Sequence, residues 1–287
     1  MKCCKIQKKI VSVFLACIFA LIGIAAVCSM NTCTGAAQTV YYSDADYNGG
    51  GLREESEYVY RDSYSVDTSY QVYEAPSYGN SDSTKTNFCA VTAGTNISVF
   101  YDKTYTNLIP NFEPGMVING IYCYYPDLGW PATEQVFNTL YTKMKTNVNG
   151  TGTSGANFKA GLQEYAAGQG YNLTFSSFYS STTNVNLATF GSAAMAGKVG
   201  VLLLSKYNYI YAIVHSEGHT FISRAISDNP HIMMVYGYIK INYYNNGALF
   251  KTETYLQASS GFGTGDQGYI RMDDYLQIEE ALIVNIS

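Results

Sequence analysis

The sequence predicts a single α+β domain, with helices first and an antiparallel sheet after, on three observations. Apolar residues recur at helical spacing between Cys89 and Lys145 and again after Ser154. From Val199 onward the apolar residues fall instead into short runs typical of strands. Between two of those runs stands Asn245-Asn246-Gly247, a hairpin turn by composition. Segregated helices and strands of this kind define the α+β class. The chain has 287 residues, 47% of them hydrophobic and 14% charged, enough for one core of ordinary size.

The elements follow in order. Residues 1–37 open with Lys2, Lys5, Lys8 and Lys9, continue in an apolar run from Ile10 to Cys28 and end in Thr34-Gly35-Ala36-Ala37. That pattern is a secretory signal with a cut after Ala36 or Ala37; the length of its apolar run also suits an uncleaved membrane anchor. Residues 38–80 are rich in Tyr and in Asp and Glu, with Arg53 and Arg61 as their bases and Gly49-Gly50-Gly51 inside. No period persists there, so the segment reads as a stalk, a pro-segment or a peripheral ribbon. Residues 81–287 form the domain. Its first helix runs from Cys89 to Tyr101, with Ala93, Ile97 and Phe100 on one face. Thr, Gly, Asn and Val make this helix weak by propensity, so burial must hold it and it belongs at the centre. A second helix is expected from Pro131 to about Lys145, and a third after Ser154 up to Gly168-Gln169-Gly170. Strands are expected at 199–204, 209–214, 231–244, 249–257, 268–272 and 281–286.

Charge excludes some partners. The net charge is −5, although the first 37 residues contribute four lysines and no acid, so the body beyond them is more acidic still. An acidic body repels nucleic acid and anionic membranes, and no basic stripe or zinc-finger spacing occurs. Any membrane contact is expected through the N-terminal segment alone. A secreted or cell-surface location and a monomer are expected, with no cofactor.

Of seven Cys, all but Cys89 and Cys123 lie in the first 37 residues. In an oxidising exterior these two are able to form a disulfide. Cys89 has a second use. At a helix start the free amides and the dipole favour a thiolate over the ordinary thiol of pKa about 8.5. A neighbouring imidazole would complete the activation. His231 stands at the head of the apolar stretch HIMMVYGY, where a strand would hold it rigidly. His215 and His219 are four apart, but Gly218 and the strand-like flanks argue against a helical metal pair. No metal is expected.

The stretches TNFCAVTAGTN and HIMMVYGY, with GTGTSGANFKAGLQEYAAGQGYN between them, resemble the bacteriocin-processing-peptidase-like branch of the papain-like cysteine peptidases, in its exported bacterial form. The separation of Cys89 and His231 falls within the about 130–150 residues usual for papain-type enzymes. The resemblance covers roughly residue 86 to the C-terminus. It implies a papain-like fold, with an N-terminal helical half carrying the nucleophile at a helix N-terminus, packed on a C-terminal antiparallel sheet. It also implies a Cys-His peptidase acting on peptide or isopeptide bonds of a peptide or protein substrate. Three positions depart from the family, the first being Val91, where similar sequences usually place Pro two residues after the nucleophile. Where an Asp or Asn precedes Gly and an aromatic residue, this chain has Ser260 before Gly261-Phe262, with Asp266 as a substitute from the next turn. No Gln stands between Ser81 and Phe88, so Asn87 or Thr84, with the amide of Cys89, is expected to form the oxyanion hole. These departures make a catalytically degenerate domain used in surface adhesion or recognition the competing reading.

Overall fold

The computed structural model describes residues 39–43, 52–79, 85–125, 131–148, 150–262 and 267–287. The expected leader, residues 1–37, lies outside these. No helix among the described residues is long and apolar enough to cross a membrane.

The first two helices of the domain begin where the sequence places them. Helix α1 (Cys89–Asp102) is followed by α2 (Pro131–Lys143), then α3 (Gly155–Gly168) and a shorter α4 (Leu187–Met195). The Ser154 side chain caps α3, accepting from the Asn157 amide at 3.2 Å, and Asn186 caps α4 in the same way from Thr189 at 3.0 Å. Every residue of α1 after Cys89 is buried. Its hydroxyls survive burial by bonding back along the helix, Thr95 to the Val91 carbonyl and Ser98 to the Gly94 carbonyl, both at 2.9 Å. A helix of such poor propensity is held by its surroundings, as its composition requires.

Most of the chain is strand. β1 (Thr39–Ser43), β2 (Leu52–Tyr60) and β3 (Ser63–Tyr70) come before the helices, and β4 (Gly115–Ile118) with β5 (Ile121–Tyr124) makes a separate hairpin. After the helices come β6 (Leu173–Ser177), β7 (Tyr179–Ser181), β8 (Asn184–Val185), β9 (Gly200–Ser216), β10 (His219–Ser227), β11 (His231–Asn245), β12 (Ala248–Ser259), β13 (Gln267–Arg271) and β14 (Gln277–Ile286). Ten of these strands form one antiparallel sheet. Its hub is β9, whose first half lies between β11 and β14 and whose second half pairs with β10 and touches β13. Because β11 pairs with β12 and β12 with β13, the strands β9, β11, β12 and β13 close on one another as a ring.

This architecture corrects the expected fold class. Strands make up 46% of the structure against 23% helix, so there is no helical half set against a sheet of equal rank. One cause lies in residues 38–80. β2 pairs with β10 over its whole length and β3 with β11, so this segment supplies sheet strands. The chain from Gln71 to Tyr78 then crosses to α1 in extended form. Along it the Val72 amide donates to Gln257 at 2.9 Å and the Pro76 carbonyl accepts from Ser259 at 2.6 Å. Asn96 of α1 takes both the amide and the carbonyl of Tyr78.

Within the sheet sits a network of buried charge. Glu57 of β2 is fully buried and meets Arg271 of β13, Arg224 of β10 at 3.4 Å and Lys251 of β12 at 3.3 Å. Glu253 joins through Arg271 and Lys251, and Tyr255 donates its hydroxyl to Glu253. Burial raises the Glu57 carboxyl, but Arg271, Lys251 and Arg224 outweigh it and hold the group below its ordinary value.

Candidate active site

Two elements meet at the site. Helix α1 begins at Cys89, and its N-cap position, Phe88, offers no side-chain cap to the first turn. The first turn carries no acidic residue either, so its amides remain available to an anion. Strand β11 begins at His231, which is buried, and packs along α1. The Ile232 amide of β11 bonds the Cys89 sulfur, as does the Ala90 amide from the helix.

Cys89 and His231 are hydrogen-bonded to each other. The other imidazole nitrogen, Nε2, lies 2.7 Å from the main-chain oxygen of Ser260. A carbonyl only accepts, so Nε2 carries a proton and Nδ1 is the nitrogen left for the thiol. Phe262 stacks on the imidazole, ring centres 4.7 Å apart and planes 24° from parallel, and Tyr207 flanks it at 5.7 Å.

The electrostatics favour an ion pair. Burial raises the Cys89 thiol, but the hydrogen bond and charge of His231, with the amides of Ile232 and Ala90, outweigh it and leave the thiol below its ordinary value. Burial likewise depresses the His231 imidazole, yet Cys89 and the Ser260 carbonyl raise it above its ordinary value. The two shifts are opposite in sign and share one cause, the attraction between a thiolate at Cys89 and an imidazolium at His231.

The remaining residues named from sequence fall in different places. Ser260 stands beside the imidazole but meets it through its carbonyl, while its hydroxyl accepts from the Phe262 amide at 3.1 Å. Thr84 and Asp266 lie outside the described residues. Asn87 immediately precedes the helix in left-handed conformation, φ 53°, and commits an amide N–H to Asn147 at 3.1 Å. Cys123 is free, as is Cys89, and its thiol approaches Glu74 at 3.8 Å, so no disulfide joins the two. His215 and His219 flank the tight turn between β9 and β10; His215 stacks on Tyr64 at 3.8 Å and His219 donates to the Glu217 carbonyl. Among the described residues no group of three or more His, Cys, Asp or Glu is placed to hold a metal.

Two contributors were not singled out from sequence. The Ile232 amide is invisible there because any residue supplies one. Asn147, which touches the chain just before Cys89, had a faint sign, since an Asn in a Gly-rich loop suits a left-handed turn. No family model, no curated protein and no solved structure matches the chain.

Proposed function

We propose that this chain is an exported thiol hydrolase that cleaves peptide or isopeptide bonds with Cys89 as nucleophile and His231 as general acid and base. The observation that carries the reading is the hydrogen-bonded pair of Cys89, at an uncapped helix start, and His231, whose far nitrogen is held by the Ser260 carbonyl. The Cys89 thiolate adds to the substrate carbonyl carbon, forming a carbon–sulfur bond. The resulting oxyanion is stabilised by first-turn amides of α1, that of Cys89 included. As the carbon–nitrogen bond breaks, the imidazolium of His231 gives its proton to the leaving amine. Water then adds to the thioester, its proton passing to His231, and the carbon–sulfur bond breaks to restore the thiolate. The motifs around Cys89 and His231 that resemble bacteriocin-processing cysteine peptidases support the choice of an amide-type substrate. The N-terminal segment supports action outside the cytoplasm.

One observation favours a non-catalytic domain instead: the group that meets Nε2 of His231 is a neutral main-chain carbonyl where a carboxylate would stabilise an imidazolium. One experiment separates the two. The full chain, its Cys89→Ala variant and its His231→Ala variant are incubated with a peptide library, and cleavage is read by mass spectrometry. Cleavage by the wild type alone is expected. Cleavage that survives Cys89→Ala, or none by the wild type, rejects the hydrolase.

A further inference from the structure

The chain just before Cys89 lacks a cap of its own, so what aims the helix start must come from elsewhere. The contacts come from α2 and the loop after it. The Phe88 ring meets Phe137 edge-on at 5.8 Å, and the Lys85 ammonium lies 5.8 Å above the rings of both Phe137 and Tyr141. The polar contacts converge on one side chain. Asn147 donates from Nδ2 to the Thr86 carbonyl at 2.5 Å and to the Tyr141 hydroxyl at 2.9 Å, with the Thr86 hydroxyl further off at 3.4 Å. Its Oδ1 accepts from the Asn87 side chain at 3.1 Å and from the Gly152 amide at 3.0 Å. Both N–H bonds and both lone pairs of the amide are therefore engaged.

The backbone around this hub is as specific as the side chain. Asn87, Lys145 and Asn147 are left-handed, with φ of 53°, 51° and 60°, and so are Gly150 and Gly152. Asn tolerates that region because its short polar side chain bonds locally. A Cβ on Gly152 would sit 3.4 Å from that of Asn87, so the loop lies directly against the residue two before the nucleophile.

We propose that Asn147 is a positioning residue for Cys89. It keys residues 145–148 and 150–153 onto residues 86–87, which fixes the left-handed Asn87 and so the direction in which α1 starts. The sulfur is thereby held against His231 and the first-turn amides against the place an oxyanion would occupy. This rests on the hydrolase reading for its catalytic consequence, though not for its effect on the thiol. Asp in place of Asn147 would keep the acceptor and lose both donors. Gly would keep the backbone conformation and lose all four contacts.

The test is the pH dependence of Cys89 alkylation by iodoacetamide, with Cys123→Ser as background, in Asn147→Gly, Asn147→Asp and a control, Gly115→Ala. A Cβ on Gly115 would press on the Cys123 carbonyl in the separate β4–β5 hairpin, so the control loses stability without touching the helix start. The expected result is an alkylation midpoint that moves upward in Asn147→Gly, moves less in Asn147→Asp, and stays put in the control. On a cleaved peptide, kcat is expected to fall about ten- to hundred-fold with KM little changed, the usual result of misplacing a reacting group. A lowered melting temperature with an unmoved midpoint in Asn147→Gly overturns the proposal and leaves the hydrolase standing. Should Asn147→Gly fail to fold, an unmoved midpoint in Asn147→Asp overturns it equally. An ordinary midpoint in the wild type sinks the hydrolase reading and this one with it.

Discussion

Replacing His231 by Ala should raise the pKa of the Cys89 thiol. Burial is the largest influence on that thiol and raises it, whereas His231 supplies the two strongest opposing influences, a hydrogen bond and a charge. With the imidazole gone, the Ile232 and Ala90 amides alone face the burial, and the thiol titrates higher than it does beside His231. A free thiol of pKa about 8.5 is roughly 0.3% ionised at pH 6. Each unit of pKa lowering multiplies the thiolate tenfold, while intrinsic nucleophilicity falls about threefold for a Brønsted slope near 0.4–0.5. The net gain is about threefold per unit, so wild type should react at least several-fold faster than the variant at pH 6. The assay is the iodoacetamide rate from pH 4 to 10, by mass spectrometry of the Cys89 peptide. Wild type is expected to lead at pH 6, and the variant to overtake it once its own thiol has ionised, because its thiolate is the more nucleophilic. The sign for the imidazole is opposite. Its raised value means the paired form is intact below about 6.5, the ordinary histidine value, and is lost as pH rises through the value in the fold. In Cys89→Ser the His231 titration seen by NMR should fall, because burial then dominates. Superimposable alkylation profiles for wild type and His231→Ala would refute the pairing.

Three further outcomes follow from particular contacts. Glu57→Gln removes the central carboxylate of the network while Glu55 still faces Arg224 and Glu253 still faces Arg271 and Lys251, and should cost about 1–3 kcal/mol, or roughly 2–12 °C in melting temperature for a domain of this size. Because the Glu57 carboxyl is lowered, its stabilisation is whole above the ordinary carboxylate value and disappears as pH falls through the value in the fold, so the gap between wild type and variant must narrow in acid. Ser260→Ala keeps the carbonyl that holds His231 and should leave the alkylation midpoint of Cys89 where it is; a large upward shift would mean the hydroxyl is the true orienter. Gly261→Ala puts a side chain at φ 75° with its Cβ 3.0 Å from Thr92 of α1, and should cost about 1 kcal/mol or more while raising that midpoint by displacing the Ser260 carbonyl.

What local pattern could show, it showed. The central helix was legible because Ala93, Ile97 and Phe100 recur on one face, and its observed end at Asp102 differs by one residue from the expected one. The turn at Asn245-Asn246-Gly247 was legible because two consecutive left-handed residues need Asn and Gly, and Asn246 and Gly247 have φ of 50° and 72°. The runs 199–204 and 209–214 proved to be one strand, β9, interrupted in composition where its pairing partners change. β10 was hidden because VHSEGHTF looks like a loop; Glu217-Gly218 alone is the turn, with Gly218 at φ 71°.

The larger error, in fold class, came from a charge that points inward. In β2 the outward residues are Tyr58 and Tyr60 and the inward ones are Glu57 and Val59, so an alternation of apolar and polar is scrambled at its most informative position. Glu57 is admissible there because Arg224, Lys251 and Arg271 arrive from strands far along the chain, and no window of sequence contains them. The same reasoning separates what was visible at the site from what was not. A nucleophile and a base are specified by residue type, so Cys89 and His231 could be named before their contact was known. The group that holds the base is a main-chain oxygen, which every residue carries, and only the turn at Ser260-Gly261 selects it. Ser260 was therefore found at the right position with the wrong atom, and a rule that searches for an Asp or Asn at that place would reject this site although its imidazole is held.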